Sequence, residues 1–80
     1  MKLYTVLFHD DMGDAYNIGI FDKKELAERE LEIFVDPDEY KEIDRETYSE
    51  DECRIYYANA DQTATAMADI SALTLNEFTY

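Results

Sequence analysis

The first part of the chain carries two short apolar runs that have the length and composition of β-strands. Residues 3–8 and 15–21 are rich in β-forming residues, and the polar stretch 10–14 separates them. Gly13 in this stretch is free to take a positive φ, which suits a turn. The pattern predicts an antiparallel hairpin whose first strand is central in a sheet, because both of its faces are apolar. Gly19 predicts a bulge or a close backbone approach in the second strand.

After residue 21 the apolar positions change to a helical spacing. Asp22 can serve as N-cap, and Glu25 three residues later completes a capping box. Pro37 ends the predicted helix near residue 34 or 35. The stripe expected to cover one face of the hairpin consists of Leu26, Ala27, Leu31, Ile33 and Phe34.

The stretch from Asp36 to Glu39 has the features of a second helix start. An aspartate can cap, Pro37 suits the first helical position, and a glutamate follows where a capping box needs one. The pattern predicts a short helix to about residue 47, although an ordered acidic loop is the alternative. In the helix, the inward side chains are Tyr40, Ile43 and Thr47, and the outward ones are Glu39, Glu42 and Glu46.

The last third of the chain predicts two further strands. Residues 54–58 are β-branched and aromatic and indicate the third strand, and residues 70–78 suit a closing strand. Residues 59–69 are expected to form a loop or a weak helix capped by Asp61. The prediction is one α+β domain spanning residues 1–80, in the order β-β-α-(α)-β-β. Its antiparallel sheet has three to four strands, with one or two helices on one face.

Residues 3–34 carry a pattern that is similar to the opening of small hairpin–helix domains of bacteria and their phages. The pattern is a Tyr-x-Val strand, a His-Asp turn, the segment Ile-Gly-Ile-Phe at 18–21, and Glu-x-Ala-Glu-x-x-Leu at 25–31. The closing Leu-x-Leu-Asn-Glu at 73–77 resembles their last strand. This resemblance implies the fold and brings no assigned activity.

Charge is concentrated between residues 25 and 52, here called the acidic segment. It holds thirteen carboxylates against three cations, a net −10 of the whole chain's −13. Solubility of a small domain needs only about 2–8 charges, and carboxylates four apart, such as Glu28 and Glu32, repel each other on a helix. The same spacing relates Asp38 to Glu42, and Glu42 to Glu46. Anionic lipid and nucleic acid would be repelled, so the expected partners are basic proteins.

This charge pattern favours imitation of the DNA backbone. Duplex DNA carries one negative charge per about 1.7 Å of axis in two rows, and carboxylates one helical turn apart are about 5–6 Å from each other. Two helices, or two copies across a dimer axis, could approximate both rows. The expected partner-binding carboxylates are Glu28, Glu32, Asp36, Asp38, Glu39, Glu42, Glu46, Glu50, Asp51 and Glu52, with Asp10, Asp11 and Asp14 as a second patch.

In size, charge and compactness the chain resembles small acidic phage proteins that block host DNA-binding proteins. The resemblance implies a non-enzymatic inhibitor whose target is an HU-type nucleoid protein, a restriction enzyme, a CRISPR surveillance complex, uracil-DNA glycosylase or RNA polymerase. We favour HU, because such proteins bind DNA by charge and shape with little sequence readout.

Two alternatives belong to other functional classes. A protein-protein adaptor would bind through a free sheet edge and the tyrosines Tyr40, Tyr48 and Tyr57, with Tyr4, Tyr16 and Tyr56 in the core. An enzyme or metal protein would centre on His9 and Asp10. The sequence carries no EF-hand loop, no Gly-rich phosphate loop and no nucleophile–base spacing, so we predict no catalytic residue, metal site or cofactor.

The remaining features of the sequence bear on the cellular compartment and the oligomeric state. Cys53 is the single cysteine, so no intrachain disulfide forms, which fits a reducing compartment. Residues 1–9 are too short for a signal peptide, and no apolar run approaches the length of a membrane span. We therefore expect a location in the cytoplasm of a bacterial host. A homodimer is expected because a domain of this size buries only about two-thirds of its surface.

Overall fold

In the computed structural model, which describes residues 2–74, a five-stranded antiparallel sheet carries one helix on one of its faces. The strand order across the sheet is β2-β1-β5-β4-β3. This confirms the α+β class, with one strand more than expected and a single helix. The elements are β1 (Lys2–His9), β2 (Ala15–Phe21), α1 (Lys24–Phe34), β3 (Lys41–Thr47), β4 (Cys53–Ala58) and β5 (Thr65–Thr74).

The predicted hairpin is confirmed, and β1 is central because it pairs with both β2 and β5. Gly13 takes φ +86° in the connecting turn. The β1–β2 register shifts so that Val6 pairs with Gly19 and Leu7 with Asn17. Ile18 is thereby the extra residue, and the predicted bulge lies at this point.

Gly19 is required by both its backbone conformation and its surroundings. Its φ is +156°, and a Cβ built on it would lie 2.9 Å from Cζ of Phe21. We expect Gly19→Ala to destabilise the fold by about 2–3 kcal/mol, measured by urea unfolding. Gly13→Ala is the control, since its backbone is also left-handed but a Cβ there meets no atom within 4 Å. Equal losses for both variants would contradict a steric role of Phe21.

The helix is confirmed in extent, and its predicted start is corrected. It begins at Lys24 with Lys23 at the N-cap, and no side chain caps it, so the capping box of Asp22 and Glu25 is wrong. The extended backbone at Lys23 takes the cap position, and its carbonyl accepts the N–H of Ala27 at 3.2 Å. The C-cap is Val35, which agrees with the expected end.

The buried side of α1 is narrower than the predicted stripe. Ala27 and Leu31 are 0% and 1% exposed, whereas Ile33 is 68% exposed. Positions 27 and 31 lie four apart on one line of the helix, and position 33 lies on the opposite side. Leu26 and Phe34 are at the margin, 38% and 46% exposed. The ring of Phe34 nonetheless packs edge-on against Phe8.

The second helix is wrong, because residues 41–47 form the edge strand β3, which is exposed along its whole length. Pairing with β4 gives this segment cross-strand hydrogen bonds, whereas a short helix is only marginally stable by itself. The start signal at 36–39 instead makes a tight turn, in which Asp36 accepts N–H groups from Asp38, Glu39 and Tyr40. Tyr40 is buried as expected, while Ile43 and Thr47 are exposed.

The strand predicted at residues 54–58 is confirmed and is the fourth strand of the structure, β4. The predicted closing strand is β5, which begins earlier than expected, at Thr65. Residues 59–64 form a turn and not a weak helix, and the carboxylate of Asp61 accepts bonds from Thr63. The part of the closing strand predicted at 75–78 lies outside the described residues.

The core lies between α1 and one face of the sheet. Its largest fully buried side chains are Leu31, Ile55, Ile70 and Val6. The opposite face, here called the outer face, has no helix on it within residues 2–74 and exposes Leu7, Ile20 and Leu73. In this part of the chain no helix is long and apolar enough to cross a membrane.

Candidate functional site

The predicted partner-binding carboxylates fall into three groups along the length of the sheet. The 10–14 turn and the 36–39 turn lie at one end, and the β3–β4 loop lies at the other. The helix and β3 run between these ends. The first group is Asp10, Asp11, Asp14, Asp36, Asp38 and Glu39; the middle group is Glu28, Glu32, Glu42 and Glu46; and the last is Glu50, Asp51 and Glu52.

The two acidic turns at the first end are joined. The hydroxyl of Tyr40 donates to Oδ1 of Asp11 at 2.6 Å, which links the 36–40 turn to the hairpin turn. Together with its burial, this bond raises the pKa of Tyr40 from 10.0 to about 12. Asp36 and Glu39 line a common cleft with Asp10 and Asp11. The predicted second patch is therefore continuous with the acidic segment.

Several predicted carboxylates have structural partners that occupy their oxygens. Oδ1 of Asp10 accepts the N–H groups of Met12 and Asp14 at 3.0 and 2.9 Å. Burial alone would raise the pKa of Asp10, but these bonds and one from Tyr16 lower it. Asp10 therefore holds the hairpin turn together.

At the opposite end, Asp51 accepts bonds from Lys2 and from the hydroxyl of Tyr4, the latter at 2.9 Å. These bonds lower the pKa of Asp51. The carboxylate of Glu52 accepts the N–H of Ala72 at 3.3 Å. These two residues tie the β3–β4 loop to the sheet, and they are poorer candidates for a partner contact than their charge suggests.

The middle group includes the walls of a groove between α1 and β3, here called the acidic groove. Its volume is about 340 Å³. Buried side chains of Leu31, Val35, Ile55 and Tyr57 form its floor. The charged residues along its walls are Glu28 and Glu32 from the helix and Glu42 and Arg45 from β3.

Arg45 bridges the two walls of the acidic groove. Its Nη2 lies 2.9 Å from Oε1 of Glu42, and its Nη1 lies 3.5 Å from Oε1 of Glu28. The bond to Glu42 is the main cause that raises the pKa of Arg45. All three side chains are more than a third exposed, so such pairs contribute about 0–1 kcal/mol each. Arg45 can therefore leave the groove at small cost.

Glu32 adds a third carboxylate to the groove. Within residues 2–74 no cationic side chain lies within 4.0 Å of its oxygens. The groove thus holds three carboxylates and one guanidinium, and its net charge is negative.

A second bulge decides which β3 carboxylates reach this groove. The β3–β4 register shifts between Glu42 and Asp44, with Ile43 as the extra residue. Glu42 pairs with Tyr57 on the helix side, whereas Glu46 pairs with Arg54 on the outer face. The two glutamates predicted to share one helical face therefore lie on opposite faces of the sheet. Their expected helical repulsion, like that between Asp38 and Glu42, does not apply.

Only one of the three tyrosines that the adaptor hypothesis assigns to partner binding is exposed. Tyr40 and Tyr57 are each 7% exposed, so neither can anchor a partner, while Tyr48 is 58% exposed. Of the three expected in the core, Tyr4 is buried, Tyr56 is half-buried and Tyr16 is exposed. The preceding residues do not predict this split, since Tyr4, Tyr16 and Tyr56 each follow an apolar residue and yet differ in exposure.

His9 lines a separate cleft of about 490 Å³, together with Asp10 and Asp11. Its Nε2 lies 3.9 Å from Oδ2 of Asp69, a distance at which any attraction is weak. Within the described part of the chain, no group of three or more His, Cys, Asp or Glu side chains is arranged to hold a metal ion.

Comparison with protein-family models, curated proteins and solved structures finds no significant match to this chain. Its functional assignment therefore rests on the charge and geometry of its own residues.

Proposed function

We propose that this protein is a DNA mimic that occupies the DNA-binding surface of a basic protein of a bacterial host, in the manner of an inhibitor. The observation that carries the proposal is the placement of the acidic segment on α1, on the edge strand β3 and on the loops at both ends of β3. A net −10 is thereby distributed along the length of the sheet.

The spacing of the carboxylates supports this proposal in a revised form. On α1, Glu28 and Glu32 are one turn apart, about 5–6 Å. Across the acidic groove from them, the extended strand β3 contributes Glu42 on the helix side, and no second helix is involved. Because Arg45 contacts carboxylates of both elements, α1 and β3 lie side by side across a narrow groove.

The target we favour remains an HU-type nucleoid protein, since proteins of this kind bind the DNA backbone by charge and shape. An acidic surface with carboxylates on both sides of a groove offers such a protein the electrostatic features of a duplex without base edges. Restriction, CRISPR, glycosylase and polymerase proteins are alternative targets.

The test is capture from a bacterial lysate on the immobilised protein. We expect a basic DNA-binding protein to be retained at low salt and released by added duplex DNA and by raised salt, because phosphate-like contacts are salt-dependent. Polyglutamate immobilised at equal charge is the control for simple ion exchange. Retention of the same proteins by both surfaces would argue against mimicry.

The outer face favours one alternative, a protein-protein adaptor. Leu7, Ile20 and Leu73 are each about 40–60% exposed there, and Tyr48 is exposed at the end of β3. Exposed apolar side chains on one face are typical of an interaction surface. An adaptor of this kind would retain a partner that is indifferent to salt and DNA, and Leu7→Ser with Ile20→Ser would release it.

A further inference from the structure

The acidic groove differs from a DNA surface in having an apolar floor. Phosphates lie on a solvated backbone, whereas Glu28, Glu32 and Glu42 stand around the side chains of Leu31, Val35, Ile55 and Tyr57. A purely electrostatic mimic has no use for such a floor. A side chain with an aliphatic stem and a cationic head would contact both parts.

We propose that the acidic groove binds one arginine side chain of the basic partner. Its stem lies on the apolar floor, and its guanidinium bonds to the glutamates of the two walls. This inference rests on the proposed function, because it assumes a basic partner, and it names the point at which that partner is held.

Arg45 shows that the walls accept a guanidinium. Its two terminal nitrogens contact Glu42 and Glu28, one on each side of the groove. The planar fork of arginine can address two carboxylates at once, which the single ammonium of lysine does less well. Arg45 is thus an internal occupant, and an incoming arginine would take its place.

Charge complementarity selects this occupant over the others. A second copy of the chain carries the same −13, and nucleic acid is anionic, so both are repelled from a groove with three carboxylates. A volume of about 340 Å³ is at the small end of ligand sites, enough for one side chain.

The test uses short fluorescent peptides that alternate glycine with arginine, lysine or citrulline, bound to the intact protein at fixed salt. The groove variant is E28Q/E32Q/E42Q, and the matched control is D22N/E25Q/E30Q, which removes three charges that neither line the groove nor belong to the predicted partner-binding carboxylates. We expect the groove variant to bind the arginine peptide at least about tenfold more weakly. The control should lose about threefold or less, and wild type should prefer arginine to lysine and not bind citrulline.

A second pair of variants tests displacement of Arg45. Arg45→Gln and Arg29→Gln each remove one cation, but Arg29 does not line the groove. Displacement requires Arg45→Gln to bind the arginine peptide more tightly, by about threefold or more relative to Arg29→Gln. Equal affinities of these two variants would overturn this part of the inference.

The results of these experiments distinguish failure of the groove inference from failure of the proposed DNA mimicry. If the triple variants lose affinity equally, or lysine binds as well as arginine, the groove inference is overturned and the acidic surface remains the proposed binding site. If the wild type fails to bind the arginine peptide and captures no basic protein from lysate, both proposals fail. Circular dichroism of each variant verifies that the fold is intact.

Discussion

Leu31→Ala is expected to remove about 3–5 kcal/mol from the free energy of unfolding. Leu31 is 1% exposed and joins the helix to the sheet from the centre of the core, and truncation of a buried leucine leaves a cavity that the surroundings only partly close. A domain of eighty residues has about 4–12 kcal/mol in total. Urea unfolding at neutral pH should therefore show a large fall in the midpoint, with little change in slope.

Ile33→Ala is the matched control for this prediction. Ile33 lies on the same helix and is 68% exposed, so its truncation should cost about 0.5 kcal/mol or less. A cost for Ile33 comparable to that for Leu31 would contradict the orientation of α1 and would indicate that another surface covers its outer side.

The fold was predictable where one physical signal dominated. The hairpin of β1 and β2 follows from two apolar runs and Gly13, and α1 follows from a stripe at helical spacing. The strand β3 was not predictable in the same way, because acidic residues at three- and four-residue intervals also match a helix. Its strand state depends on hydrogen bonds to β4, which lies beyond the reach of local patterns.

The start of β5 could not be predicted from the sequence for a different reason. Ala66 and Ala68 are buried on the helix side of the sheet, at 7% and 0% exposure. Alanine has low β-propensity, so this segment resembled a loop or a weak helix. At these positions burial against the core determines the strand, and a single sequence does not record that burial.

The sequence predicts which carboxylates belong to the candidate site but not how they are arranged in space. Glu28, Glu32 and Glu42 were expected among the partner-binding residues, but the groove that brings them together depends on the bulge at Ile43. The sequence does not predict the role of Arg45, because a single cation among many carboxylates changes only the net charge. The structural roles of Asp10 and Asp51 could not be predicted from the sequence either, because both depend on hydrogen bonds that form only in the folded chain.

The second large effect concerns alkaline pH, where the fold is expected to lose part of its stability between pH 10 and 12. The bond to Asp11 raises the pKa of Tyr40 to about 12, and burial, followed by the charge of Glu42, raises that of Tyr57 to about 12. An unfolded tyrosine titrates near 10. The folded state thus holds protons that the unfolded state releases, so this contribution is complete below pH 10 and is lost as pH rises towards 12.

Tyr40→Phe separates this linkage from the general effect of added negative charge. The variant loses the bond to Asp11, so it should be less stable than wild type at neutral pH, by about 1–2 kcal/mol. Its stability should also fall less steeply above pH 10, because one raised pKa has been removed. Tyr48→Phe, on an exposed ring, is the control and should follow wild type. Urea unfolding across this pH range, with tyrosinate absorbance as a second probe, measures both slopes. Parallel slopes for wild type and Tyr40→Phe would show that the bond between Tyr40 and Asp11 does not govern the alkaline transition, which would then reflect repulsion over the whole acidic surface.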